Sequence, residues 1–506
     1  MGSTITMSLG EWTPDRNAIG NGPNLLTADD CYPVADGYAA YPGLESSVTA
    51  GTLNAACVGA EYGRRRNDGT PFIVAATASK LYVTDSSGVL TDRTGTWSLG
   101  TTSTASFAQY GSKVYAASIE QIIQAHELSG TSNFASLSAD APAARYIAMI
   151  GHFLMAGNIV GQGTNASAIG TMRDGVQWAA FKNPASWPTV ATDAAKAVLS
   201  DFRVMPGAGG DVQGVTGGRD FGLVLQERQV MRATIAGGDQ FFSFTPIDTQ
   251  QGCDIPTSVV QAGAITFYHS QSGWMACNGE TVQRIGHGRV DEAFWSDLDT
   301  SATHLVSAEV DPNAPLVMFA YPGDGHASGA CNRILVYNYA LDRWSRITSS
   351  SVERILAVQQ VGANVDTPIS ADIDGSPFDV DAVNYDGQPP IMAAFVPTTH
   401  ALKTFSGNVS QMRLVCGDFE ASPGRRSFVR RVRPHVTLSG AAAIRVGARN
   451  RPGDAATYGG WSVTDTASGS AGARSAGRYH RFELYALGDV GTVSGFDADV
   501  EPEGMR

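Results

Sequence analysis

The chain has 506 residues, with 35 Lys and Arg against 48 Asp and Glu, a formal net charge of -13 and only 16% charged residues. That length exceeds one small core and suits a large repeat domain with a smaller companion. So acidic a surface repels nucleic acid on average and excludes a general DNA-coating role, while a passage through which DNA slides without sticking stays open.

The 57 glycines, with abundant Ser, Thr and Ala, favour many short strands joined by tight turns over helix bundles. The six cysteines (Cys31, Cys57, Cys253, Cys277, Cys331 and Cys416) are scattered without a CxxC pair, and free, buried thiols are expected. The opening MGSTITMSLGEWTPD has no basic or apolar leader region, and no apolar run is long enough to span a membrane. Synthesis in a cytoplasm is expected.

From about residue 50 to 400 one theme recurs: a short apolar run, a turn, then a second apolar run. It is seen in PFIVAATASKLYVTD (71–85), ASFAQYGSKVYAAS (105–118) and ARYIAMIGHFLMAGN (144–158). It returns in 212–234, 258–285 and 333–347. Each run has the length and the Val, Ile, Tyr and Phe content of a strand. The pairs recur every 35 to 60 residues, and a period near 40 to 50 is that of propeller blades, which predicts a β-propeller of about six blades. Tyr82, Tyr115, Phe153, Phe221, Phe267, Trp274, Tyr337 and Trp344 are expected to pack between neighbouring sheets. Helix is expected only in 191–201 and 291–299, where Asp291 and Glu292 suit a first turn.

Near residue 400 the charge reverses. The stretch 363–387 carries Asp366, Asp372, Asp374, Asp379, Asp381 and Asp386 and no basic residue. The stretch 401–451 carries Lys403 and nine arginines against Asp418 and Glu420. A reversal this sharp marks a domain boundary. The expected organisation is an N-terminal segment (1–49), the propeller (50–400) and a smaller β-sandwich-like domain (401–506).

No P-loop, HExxH, GxSxG or zinc spacing is present, and no catalytic residue, cofactor or metal site is assigned. PGAGGDVQGVTGG (206–218) is read as an inter-blade turn because β-rich sequence follows it. His152 and His269 are placed in strands. ADIDGSPFDVD (371–381) lacks the EF-hand pattern, and its Asp372, Asp374, Asp379 and Asp381 are read as an acidic rim of a DNA passage. GRRSFVRRVRPHV (424–436) offers Arg425, Arg426, Arg430, Arg431 and Arg433 as a docking face for an acidic protein partner, as a grip on DNA phosphates or as a solvated strand face.

LGEWTPDRNAIGNGPNLLTADDCYPVADGYAAYPGL (9–44) resembles the start of the tail-tube (nozzle) proteins of short-tailed bacteriophages. GGDVQGVTGGRDFGLVLQERQVMRAT (209–234), RVDEAFWSDLD (289–299) and YNYALDRWS (337–345) resemble that family's blades, and GRYHRFELYALGDVGTVSGFDADVEPEGMR (477–506) its closing strands. The resemblance implies a six-bladed propeller with a platform domain packed against the N-terminal segment. It implies a hexameric ring in the virion tail, below a portal and adaptor and beside fibre, spike or needle proteins, through which double-stranded DNA leaves. Two other functions are weighed against this structural, non-enzymatic one: a receptor- or glycan-binding propeller, which an exposed aromatic groove would favour, and a propeller glycan hydrolase or lyase, which convergent carboxylates would favour.

Overall fold

The structure is a computed structural model that describes residues 3–19, 21–47, 51–85, 88–237, 241–359, 389–409, 411–438, 441–465, 467–487 and 490–503. The acidic stretch with Asp372, Asp374, Asp379 and Asp381 lies outside the described residues. The paired apolar runs form antiparallel hairpins. In one, Tyr110 pairs with Lys113 across a turn whose Gly111 has φ +64°; in another, Ile150 pairs with Phe153 across Gly151 at φ +57°. Only glycine takes that backbone region freely, which is why it punctuates the runs.

Seven four-stranded antiparallel units follow one another. Their first strands are Gly59–Arg64, Ser106–Tyr110, Ala143–Ile150, Val212–Val215, Ile255–Ala262, Ser307–Val310 and Arg354–Val358. Each first strand adjoins the first strand of the next unit, and the seventh adjoins the first, so the circuit closes. Hydrogen bonds tie these inner strands: Ala105 N–H donates to Val58 O at 3.3 Å, Ile147 N–H to Ser106 Oγ at 3.2 Å and Ile355 N–H to Ser307 Oγ at 3.1 Å. This is a propeller arrangement with seven sheets, not six.

The spacing undercounts because the seventh sheet is not local. Its strands are Arg354–Val358, Ile391–Phe395, Leu402–Val409 and, from the other end of the chain, Pro42–Ser47. Lys403 pairs with Ser47 and Phe405 with Leu44. The ring therefore includes residues on both sides of the 50–400 range, and it runs to Val409 rather than ending at the charge reversal.

Beyond the ring lies a two-sheet platform. One sheet runs Cys31–Val34, Gly37–Ala40, Val490–Pro502, Ser427–Leu438 and Ala471–Gly477, with Ser3–Ser8 also paired to Val490–Pro502. The other runs Leu25–Asp29, Arg413–Cys416, Tyr479–Leu487, Ala441–Arg449 and Thr457–Tyr458. It continues the sixth ring sheet through a parallel pairing of Asp29 with Arg346. Val429, Val432, Phe496 and Val500 from one sheet meet Leu25, Leu414, Ile444 and Phe482 from the other. The same apolar cluster reaches Trp274, Phe319 and Trp344 in the ring. Ring and platform thus share one core, which couples their stability.

The N-terminal segment is anchored to both parts. Glu11 and Asp342 both hold Arg289. Asp15 accepts from the N–H groups of Glu292 (3.0 Å) and Ala293 (2.8 Å), satisfying two otherwise orphan donors of helix Asp291–Asp297. Asp30, at φ +56°, accepts from Thr348 N–H (2.8 Å) and Ser349 N–H (2.9 Å). The second expected helix spans Asp193–Ala197, capped by Thr192. The 206–218 stretch links the third sheet to the fourth and supplies the latter's first strand. His269 lies in a strand, but exposed His152 sits in the turn after Gly151, because that turn falls where the sequence reads as continuous strand. Of the eight aromatics, seven are buried between sheets; Phe221 is half-buried under the Arg232 guanidinium, 4.3 Å from its ring centre. All six cysteines are buried and unpaired.

Candidate functional site

Four of the five arginines of the basic stretch lie on the long strand Ser427–Leu438 or just before it, and Arg425 lies in the preceding turn. Val429, Val432 and Pro434 face inward, while Arg430, Arg431 and Arg433 are exposed. Two adjacent arginines face out because the strand bulges: Val429 pairs with Val500 and Arg431 with Asp499, leaving Arg430 extra. The bulge recurs against strand Ala471–Gly477, where Arg474 takes φ +47°. Arg430, Arg431 and Arg474 then line an open groove of about 990 Å³ with Phe428, Asp465 and Asp499.

The adjoining strand carries a carboxylate at every second position: Asp497, Asp499, Glu501 and Glu503. Arg430 pairs with Glu501 at 2.9 Å and Arg426 with Glu503 at 3.4 Å. Arg433 stands opposite Asp497 and Arg431 opposite Asp499. The basic run is therefore one half of a mixed-charge ladder, and the face is not a simple cationic patch. Sequence reading missed this because the acidic partners lie some seventy residues downstream.

Much of the remaining charge reversal is internal. Glu483, 1% exposed, accepts from Arg413 (2.8 Å) and Arg445 (2.6 Å). Asp418, also 1% exposed, holds Arg481 (2.9 Å) and Arg449. Glu420 takes Arg478 at 2.8 Å. Across 401–506 there are 14 Lys and Arg against 10 Asp and Glu, so a modest positive excess remains on a chain of net charge -13.

Sequence reading also missed the ring's axis. A channel of about 220 Å³ is lined by residues of all seven inner strands or their entries, among them Arg145, Tyr146, Glu309 and Arg354. Arg354 is buried and donates to Val306 O (2.6 Å) and His304 O (3.0 Å). Burial pushes the Glu309 carboxyl up to about 7; the Val310 backbone N–H opposes this and the Glu61 charge adds to it. Burial alone pushes Glu61, on the first inner strand, up to about 7. Both side chains keep partial solvent contact, yet the surrounding ring penalises their charge. A single Glu in SAEV or GAEYGR carries no signal of this, since only ring closure brings the two strands near each other.

Protons held by Glu61 and Glu309 in the folded state are released on unfolding between about pH 7 and the ordinary value of 4.5. The native state binds more protons in that window, so their contribution falls as pH rises from 4.5 to 7 and is level above. Glu309→Gln is expected to raise stability at pH 8 by about 1–2 kcal/mol and to leave it unchanged at pH 4. Denaturant melts at the two pH values check this, and an equal effect at both would exclude a titrating Glu309.

No helix among the described residues is long and apolar enough to cross a membrane. No family model matches the chain, and no curated protein matches it. Among solved structures it is similar to a chain of "Crystal Structure of Mitotic Checkpoint Complex" at 9% identity and TM-score 0.37, covering 74% of this chain and 96% of that one. It is also similar to the computationally designed Ika8 protein at 10% identity and TM-score 0.36, covering 71% and 99%.

Proposed function

We propose that this chain is a structural subunit of the tail tube of a short-tailed bacteriophage, assembling in several copies around a DNA passage. The observation that carries the reading is the path of its ends. Segment 9–44 and the strands from 479 onward, where the family resemblance begins and closes, interlock in the platform, and the end of the N-terminal segment also completes the ring. Such a cross-tied body suits a load-bearing scaffold. The modest positive excess of 401–506 gives each subunit a surface on which the acidic remainder of a neighbour can rest. Arg425, Arg431 and Arg433 are the residues for the docking role, since Arg426 and Arg430 are paired within the sheet.

Negative-stain images of the purified protein should show closed rings, six-membered if the resemblance holds. Arg425→Glu with Arg431→Glu should give folded subunits that do not join tails. Mutant virions with complete tails would remove the docking role, and a monomeric protein at high concentration would remove the ring. A propeller hydrolase is the second reading, favoured by the Glu309 carboxyl in the axial channel and its charge coupling to Glu61. Its channel, about 220 Å³, is smaller than the roughly 300–1,000 Å³ of ordinary ligand pockets. Polysaccharide turnover lost in Glu309→Gln would establish that reading instead.

A further inference from the structure

We propose that a small tetrahedral oxyanion binds at the rim of the ring, in a cavity of about 140 Å³ between the first and second sheets, held by Arg65, Arg93 and His126. Three separate elements bring these residues together. Arg65 follows strand Gly59–Arg64, Arg93 follows strand Leu90–Asp92, and His126 lies in strand Gln121–Glu127. The guanidiniums are fixed by the backbone: Arg65 Nη2 donates to Thr84 O at 2.9 Å and Arg93 Nη1 to Thr131 O at 2.8 Å. His126 is 3% exposed and lies against the Phe134 ring at 5.1 Å.

Among the described residues, two buried polar atoms of this set, Arg65 Nε and His126 Nδ1, have no hydrogen-bond partner, while the Ser132 backbone bears on the His126 ring. The Arg65 Nε–H can only donate, so it calls for an acceptor. A buried donor without one costs about 1–3 kcal/mol. An oxyanion supplies that acceptor and draws a proton onto His126, which then donates as well. Two guanidinium groups and an imidazole brought by three separate elements suit a tetrahedral anion better than a planar carboxylate, which one arginine fork would satisfy. The volume equals that of four or five waters at about 30 Å³ each, enough for one such anion.

The groups bearing on His126 set the pH response. Burial pulls its imidazole below 6.5; Arg93 and Arg65 pull the same way, while the Ser132 backbone and Glu127 oppose. Asp85 lines the cavity and supplies one negative charge against the two arginines. The imidazole is therefore neutral at pH 7 without a ligand and charged with one, so binding takes up a proton.

Sulfate keeps its charge between pH 5.5 and 8 and is the probe. Calorimetric titration of the full chain should show saturable one-to-one binding that tightens toward low pH, by at most about ten-fold per unit. His126→Gln should keep weaker binding with no pH slope. Arg65→Gln with Arg93→Gln should weaken it by more than about ten-fold while melting remains cooperative. Arg93→Lys, which keeps the charge but loses the fork, serves if that double variant does not fold, and should also weaken binding. No saturable binding, native-like binding in the arginine variants, or an unchanged slope in His126→Gln would each overturn the proposal. Inorganic phosphate against a 5′-phosphorylated dinucleotide then separates a free anion from a terminal phosphoryl group: loss of binding with the dinucleotide identifies the former, equal binding the latter.

Discussion

Asp418→Ala is expected to destabilise the protein by about 3–5 kcal/mol, one of the largest effects available from a single side chain. The carboxylate is 1% exposed and is shared by Arg481 and Arg449, themselves only 19% and 11% exposed. Removing it leaves two guanidiniums with little access to water and no counter-charge. The same residue's backbone N–H donates to Ala18 O at 2.8 Å, so disorder there spreads to the N-terminal segment. Arg430→Ser makes the contrast. Its pair with Glu501 is 66% and 47% exposed, and about 1 kcal/mol or less is expected. Denaturant midpoints measured side by side decide the matter. Similar shifts for the two variants would show that burial does not govern these pairs.

Deleting residues 1–47 should have a larger effect still and yield insoluble protein. The deletion removes the fourth strand of the seventh sheet, exposing the whole edge of Leu402–Val409. It also removes strands Ser3–Ser8 and Gly37–Ala40 from the edge of Val490–Pro502, and Leu25–Asp29 from between ring and platform. Unpaired edges of this length template association. Buried Trp12, Leu25, Cys31, Tyr38 and Tyr41 leave the core as well. Sedimentation of the expressed fragment tests this. A soluble fragment with a cooperative melt would show that the ring closes without its N-terminal strand.

The all-β class and the hairpins were legible because apolar runs and glycine turns are local signals. PFIVAAT and LYVTD pair with their neighbours and say so in sequence. What escaped was everything made by distance. Pro42–Ser47 contains nothing that names Leu402–Val409 as its partner, so the blade count fell one short. The arginines of 424–436 read as a bare cationic run because Asp497 to Glu503 pair with them only in the folded sheet. Arg65, Arg93 and His126 stand in three separate turns and strands, and no spacing rule joins them.

The seam of the seventh sheet also has a consequence in time. During synthesis Pro42–Ser47 leaves the ribosome early, while its partner strand emerges only when Leu402–Val409 has been made. Six sheets can form by local hairpin closure meanwhile, each at low loop cost. The last cannot, so the nascent chain carries an unsatisfied strand through most of its own translation. Folding should therefore show a fast phase for the six local sheets and a slow final phase in which both ends of the chain dock together. Val490–Pro502, which pairs with Ser3–Ser8 and Gly37–Ala40, would be the last piece to arrive.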